Sequence, residues 1–182
     1  MNSTTKKFVH DLVAEGLGLP KQRVIWYDPN APRPTKPYAT LDVFGEVREG
    51  QEELRKTATA GKYDVFVPVT QTLRVELYGL SGDDVCESLN VLARKMETPT
   101  FADKCFANSV AFYDAENVVD LTDVLEQSID VRASVDFHVR TNSIIEDDCG
   151  VIEQVKVDEN IYIDDTDILT RQYTIAVQNG GI

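Results

Sequence analysis

The sequence predicts an α+β fold: a mostly antiparallel sheet with helices packed on one face, carrying extended arms. Two stretches, residues 3–16 and 81–96, set apolar residues at helical spacing, and the runs between and after them alternate apolar and polar with a period of two. Such alternation fits a sheet that is wet on one face, and helices set between strand runs cover the other. Three prolines, Pro32, Pro34 and Pro37, stiffen residues 30–36 just ahead of a strand. Fixed φ and missing donors exclude helix and inner strand there, so the segment is a semi-rigid surface arm.

In the first helix, Ser3, Thr4 or Thr5 can cap, Phe8, Val9, Leu12 and Val13 form the stripe, and Gly16 can take the left-handed stop. Arg23-Val-Ile-Trp-Tyr27 is short, β-branched and aromatic, hence a strand. From Tyr38 onward, Ala39, Leu41 and Val43 share one face, Thr40, Asp42 and Phe44 the other, and Gly45 permits a turn or bulge. Residues 46–64 are charged and poor in apolar side chains, either a long exposed hairpin or a loop. Val65, Val67, Val69, Leu73, Val75 and Leu77 lie in one phase with Arg74, Glu76 and Tyr78 opposite, and Pro68 restricts the start of this run to an edge or a bulge.

The second helix is the best marked: Ser81 can cap, Asp83 and Asp84 suit the first turn, Val85, Leu89, Leu92 and Met96 form the stripe, and Arg94 and Lys95 close it. Residues 99–108 read as a helical or irregular link before the strand Val110-Ala-Phe-Tyr113, and Leu121, Val124 and Leu125 are compatible with a helical turn within 118–128. The clearest strand sets Val131, Ala133, Val135, Phe137 and Val139 against Arg132, Ser134, Asp136, His138 and Arg140. An acidic turn at Glu146-Asp-Asp148, a strand at 150–157 and an apolar run at 173–177 follow. The expected organisation is a domain over 1–157 and a C-terminal extension over 158–182 that contacts a neighbour.

At 182 residues, with 42% hydrophobic and 27% charged, the chain can build one real core. A net charge of −13 argues against holding nucleic acid by phosphate neutralisation; DNA nearby is repelled, not gripped. Cys86, Cys105 and Cys149 fit neither a CxxC pair nor a disulfide framework, so free thiols in a reducing compartment are expected, most of them buried. With no signal-peptide pattern or membrane-spanning run, a cytoplasmic site of synthesis and no membrane partner are expected.

The search for chemistry comes back empty: no catalytic residue, cofactor or metal ligand is assigned. His10 and His138 have neither HxH nor HExxH spacing, and no phosphate-cradling glycine loop is present. The groups Glu146-Asp147-Asp148 and Asp164-Asp165-Thr166-Asp167 could ligate a hard cation but lack the glycine and distal glutamate of an EF-hand loop, so solvated turns are favoured. Protrusions on a small acidic core point to a subunit that reaches its neighbours, with ordinary loops on a monomer as the plainer reading.

Arg23-Val-Ile-Trp26, Pro32-Arg-Pro34, Pro37-Tyr-Ala-Thr-Leu41, Leu77-Tyr-Gly79 before Asp83-Asp84, Asp120-Leu-Thr122, Arg132-Ala133 with Asp136, and Gly150-Val-Ile-Glu153 followed by Val155 and Val157 together resemble the neck or tail-terminator proteins of tailed bacteriophages. The resemblance runs from about Leu17 to Val157; the charged 46–64 segment and the residues beyond Val157 depart from it. It implies a non-enzymatic virion protein, assembled in the host cytoplasm, that forms a ring, expected to be a hexamer, on the head-proximal end of the tail tube. Tail-tube protein, head-completion or connector protein, and in contractile phages the sheath are the implied partners, with DNA passing the lumen unbound. On this reading the interface positions are Pro32, Arg33, Pro34 and Pro37 in the arm, Arg132, Asp136, His138 and Arg140 on the wet strand face, and Tyr173 in the extension. A tail-tube or head-closure ring subunit is the nearest alternative, and a small acidic hydrolase or metal-binding module the alternative of another class.

Overall fold

The computed structural model describes residues 1–125, 128–150, 154–163 and 167–176. In chain order its elements are α1 (Ser3–Leu17), a 3-10 turn (Lys21–Arg23), β1 (Val24–Trp26), β2 (Tyr38–Arg48), β3 (Glu53–Lys56), β4 (Lys62–Tyr78), α2 (Val85–Met96), α3 (Pro99–Ala107), β5 (Val110–Ala115), β6 (Val119–Asp120), β7 (Asp123–Leu125), β8 (Ser128–Asp130), β9 (Arg132–Asp148), β10 (Gln154–Ile163) and β11 (Asp167–Ala176). The main sheet runs β1-β2-β4-β9-β5, with β3 beside β4 and β6 beside β9. Its one parallel pair among those with a described register is β1 with β2; β2 with β4 and β5 with β9 are antiparallel. The fold is α+β, as the alternation predicts. Contacts divide the chain into two units, residues 1–53 with 66–144 and residues 54–65 with 145–182.

In the first unit, strand parity decides the core. Leu41, Leu73, Val75, Val135, Phe137 and Val139 sit on the helix-facing side of the sheet and are essentially inaccessible to solvent. Val9, Leu12 and Val13 of α1, Leu89 and Leu92 of α2, and Phe101 and Cys105 of α3 complete the cluster. At about 25 cal/mol per Å² of apolar area removed from water, burial of this layer stabilises the unit.

The helix ends correct the sequence reading. The Asn2 side chain, not Ser3, Thr4 or Thr5, caps α1, accepting from the Thr5 N–H at 2.8 Å. Gly18, with φ +67°, makes the left-handed stop. Gly16 instead lies inside α1, where a Cβ would come 2.4 Å from Leu92 Cδ1; the missing side chain lets α1 and α2 approach. Asp84, not Ser81, caps α2 through the Glu87 N–H at 2.9 Å.

The strands hold further corrections. Pro68 lies in β4, an interior strand between β2 and β9, not an edge. It is tolerated because β2 ends at Arg48, and the Glu49 N–H donates to the Pro68 carbonyl just beyond it. Within 118–128, the helical turn compatible with Leu121, Val124 and Leu125 gives way to the short strands β6 and β7. The expected acidic turn at 146–148 is the end of the 17-residue strand β9. Residues 46–64 form strand ends and β3, so the hairpin alternative holds. The 99–108 link is the helix α3.

In the second unit, Lys62 pairs with Glu146 and the Cys149 N–H donates to the Gly61 carbonyl at 2.9 Å. Gly61, at φ +80°, has the Gly150 backbone within 2.8 Å of where a Cβ would stand, so a side chain is excluded on two counts. β10 and β11 form a separate two-stranded antiparallel sheet of ten residue pairs from Gln154↔Ala176 to Ile163↔Asp167. Val157, the expected domain end, falls within β10. Of the acidic group 164–167, only Asp167 lies within the described residues.

Candidate functional site

The face of the sheet turned away from the helices is built by the opposite parity. Antiparallel register sets Tyr38 across from Tyr78, Thr40 from Glu76 and Asp42 from Arg74. The Arg74 guanidinium grips Asp136 on β9 bidentately, Nε to Oδ1 at 2.8 Å and Nη2 to Oδ2 at 2.7 Å, and lies 5.1 Å from the Phe44 ring centroid. The fork geometry suits this carboxylate, and the bonds raise Arg74 further above its usual value.

Tyr38 and Tyr78 stack with centroids 4.6 Å apart and planes within 6°. The Tyr78 hydroxyl donates to Glu76 Oε2 at 2.7 Å; burial, then the Glu76 carboxylate, pushes it up to about 12. At the other side of the face, Tyr113 stacks on His138 at 5.8 Å, Arg140 lies over Tyr113 at 5.6 Å and pairs with Glu49, and His138 Nε2 is 3.5 Å from Glu116. Arg132 donates through Nε to the Leu121 carbonyl at 3.0 Å.

The proline arm touches this face of its own subunit. Arg33 lies 5.9 Å from the Tyr78 ring, and Lys36 pairs with Asp130 of β8, holding that carboxyl below its usual range. Pro32 is exposed, and Pro34 and Pro37 are half-buried. Of the positions singled out from the sequence, the structure therefore gathers Arg132, Asp136, His138 and Arg140 on one face, with Arg33 against one of its rings. Tyr173 stands in β11 opposite Val157, in the second unit.

Sequence reasoning missed Arg74, Tyr38, Tyr78, Phe44, Tyr113 and the Lys36–Asp130 clamp as members of the site. A signal was present, since Arg74, Glu76 and Tyr78 share the parity opposite to the core, but which strand lies beside β4 is a long-range fact. His10 has a local role: Nε2 is 2.7 Å from the Val24 carbonyl and Nδ1 3.0 Å from Asp11. Cys105 is buried with its thiol pushed up by burial, Cys86 is half-buried and Cys149 exposed, so the expectation of burial holds for one of the three. Among the described residues no cluster of three or more His, Cys, Asp or Glu is placed to hold a metal ion, and no helix is long and apolar enough to cross a membrane.

Arginine and tyrosine side chains already held by their neighbours lose little freedom on contact with a protein surface, which suits them to anchor one. The chain belongs to the phage neck terminator protein family, whose model matches residues 3–177. It is a structural protein of the phage neck or tail, placed in the virion with other head and tail proteins as its neighbours. No curated protein matches it.

Proposed function

We propose that this protein is a tail-terminator subunit that closes into a ring, a hexamer by family resemblance, on the head-proximal end of the tail tube and joins it to the head-completion proteins. The observation that carries the reading is the sheet face itself: on a chain of net charge −13, it collects Arg33, Arg74, Arg132 and Arg140 with the exposed rings of Phe44 and Tyr113, over the buried pair Tyr38 and Tyr78. Enrichment in Arg and Tyr is the compositional mark of interface cores. The proline arm and the C-terminal extension over 158–182 are proposed to add to the contact, which for a stable ring buries on the order of 1,600 Å² in total. An acidic lumen would let DNA slide through unbound. Assembly occurs in the host cytoplasm, and a sheath contact is expected if the tail is contractile.

Native mass spectrometry of the protein alone and with its tube protein tests this. One closed ring species, capping the tube partner without extending itself, is the expected result. Long stacked polymers would make it a tube subunit, and monomer at every concentration would overturn assembly altogether.

A further inference from the structure

Resting on the ring reading, the inference concerns how one copy meets the next. A cyclic ring requires two different patches on each subunit that fit each other. The outer edge of the main sheet supplies one. β5 is the last strand in the order β1-β2-β4-β9-β5, so among the described residues the backbone groups on its outer side have no strand partner. Beside it, α3 and β5 enclose a groove of about 380 Å³ lined by Met96, Ala102, Val110 and Phe112, with Phe106 standing 87% exposed at its rim. A bare edge next to a large exposed ring is a hazard unless something specific covers it. The other sheet edge, β1, has three residues and offers little to a partner.

The hairpin β10–β11 supplies the other patch. A lone two-stranded sheet is marginally stable in water. Its register pairs Val155, Val157 and Ile161 with Ile175, Tyr173 and Leu169, and sets the Glu159–Arg171 pair among them. Each of its strands has one edge that no described strand pairs. Charge chooses between the two: β10 carries Asp158 and Glu159 against Lys156, whereas β11 balances its single acid, Asp167, with Arg171. The β5 edge is acidic, with Asp114 in the strand and Glu116 after it. Strand β11, net neutral with Arg171 set opposite Glu159 of β10, can therefore lie along β5 with less like-charge repulsion than β10. The bulge between Phe112 and Asp114 and the Asp114 charge discourage indiscriminate strand addition, so a strand without net negative charge is selected.

We infer that β11 of one copy adds to the β5 edge of the next copy, beside the Phe106 groove, and that this strand addition is the ring's repeating contact. The partner is a second copy of this chain.

The test mixes two full-length proteins, each carrying Cys149→Ser to remove the exposed thiol. One carries Ala111→Cys on β5; the other carries Thr170→Cys, Gln172→Cys or Thr174→Cys, which share one face of β11 at two-residue spacing and so sample the register. Under oxidation, a covalent dimer is expected in at least one mixture and in neither protein alone. Phe106→Asp, at an exposed position where folding is spared, should raise the concentration for half-assembly roughly thirtyfold, the size of a hot-spot loss. Rings by native mass spectrometry with no cross-link in any mixture and unchanged assembly of Phe106→Asp would overturn this contact and leave the ring intact. Cross-linking of Ala111→Cys to the tube protein alone would give the edge to that neighbour and overturn the inference. Monomer throughout would overturn the ring and this contact together.

Discussion

The two faces of one sheet divide the work. On the helix side, Leu41, Leu73, Val75, Val135, Phe137 and Val139 are apolar, close-packed and dry. On the other side, Arg74, Asp136, Tyr78, His138 and Arg140 alternate with them along the same strands: Arg74 grips Asp136, Tyr78 bonds Glu76, and His138 and Arg140 both meet the Tyr113 ring. A residue's parity thus decides whether it joins the apolar core under the helices or the polar outer face proposed for recognition. Neighbours in sequence, such as Asp136 and Phe137, should respond differently to the same substitution.

The largest effect belongs to the dry face. Phe137 is 1% exposed and meets Phe112 edge to face at 5.8 Å, so Phe137→Ala should cost about 3 to 5 kcal/mol of folding stability. Chemical denaturation checks the value, and assembly should fall only as far as unfolding explains. One residue earlier, Asp136→Ala leaves the Arg74 fork without its acceptor. Because the Arg74 side chain keeps 43% of its surface in water, the loss should be about 1 to 2 kcal/mol. Here assembly should weaken by more than that stability loss explains, measured by sedimentation at concentrations spanning half-assembly. Equal losses of folding and assembly in both variants would erase the division between the faces.

How far this was legible follows from the range of each interaction. The parity of residues 73–78 and 131–140 is local, set by alternation alone, and both faces emerged from it. The pairing of Arg74 with Asp136 was not legible, because it depends on β4 lying beside β9, which is a matter of sheet order. Helix ends were legible to within a few residues: several polar residues compete to cap, and only the approach of Leu92 shows that Gly16 is a packing position and Gly18 the stop. Pro68 misled because its missing donor matters only where a neighbouring strand continues, and β2 stops there. The acidic run at 146–148 has the charge of a turn, but an exposed strand end tolerates the same charge, so composition does not separate the two.

The smallest effect tests the recognition face through its protonation. The Tyr78 hydroxyl is raised from 10.0 to about 12, chiefly by burial and then by Glu76. Between those two values the unfolded chain releases this proton while the folded protein keeps it, so stability falls as pH rises. Below pH 10.0 the contribution is fully present, and it is lost as pH climbs through about 12. The loss attributable to this group amounts to roughly 3 kcal/mol. Tyr78→Phe keeps the ring stacked on Tyr38 and removes the proton, at a neutral-pH cost of about 0.5 to 1.5 kcal/mol for the lost bond to Glu76. The melting temperatures of wild type and variant, compared across the alkaline range, should therefore converge as pH rises and then cross. Parallel curves would mean that Tyr78 is not shielded as its place beneath Arg33 and beside Tyr38 requires, and that this corner of the face is wetter than its partner strands.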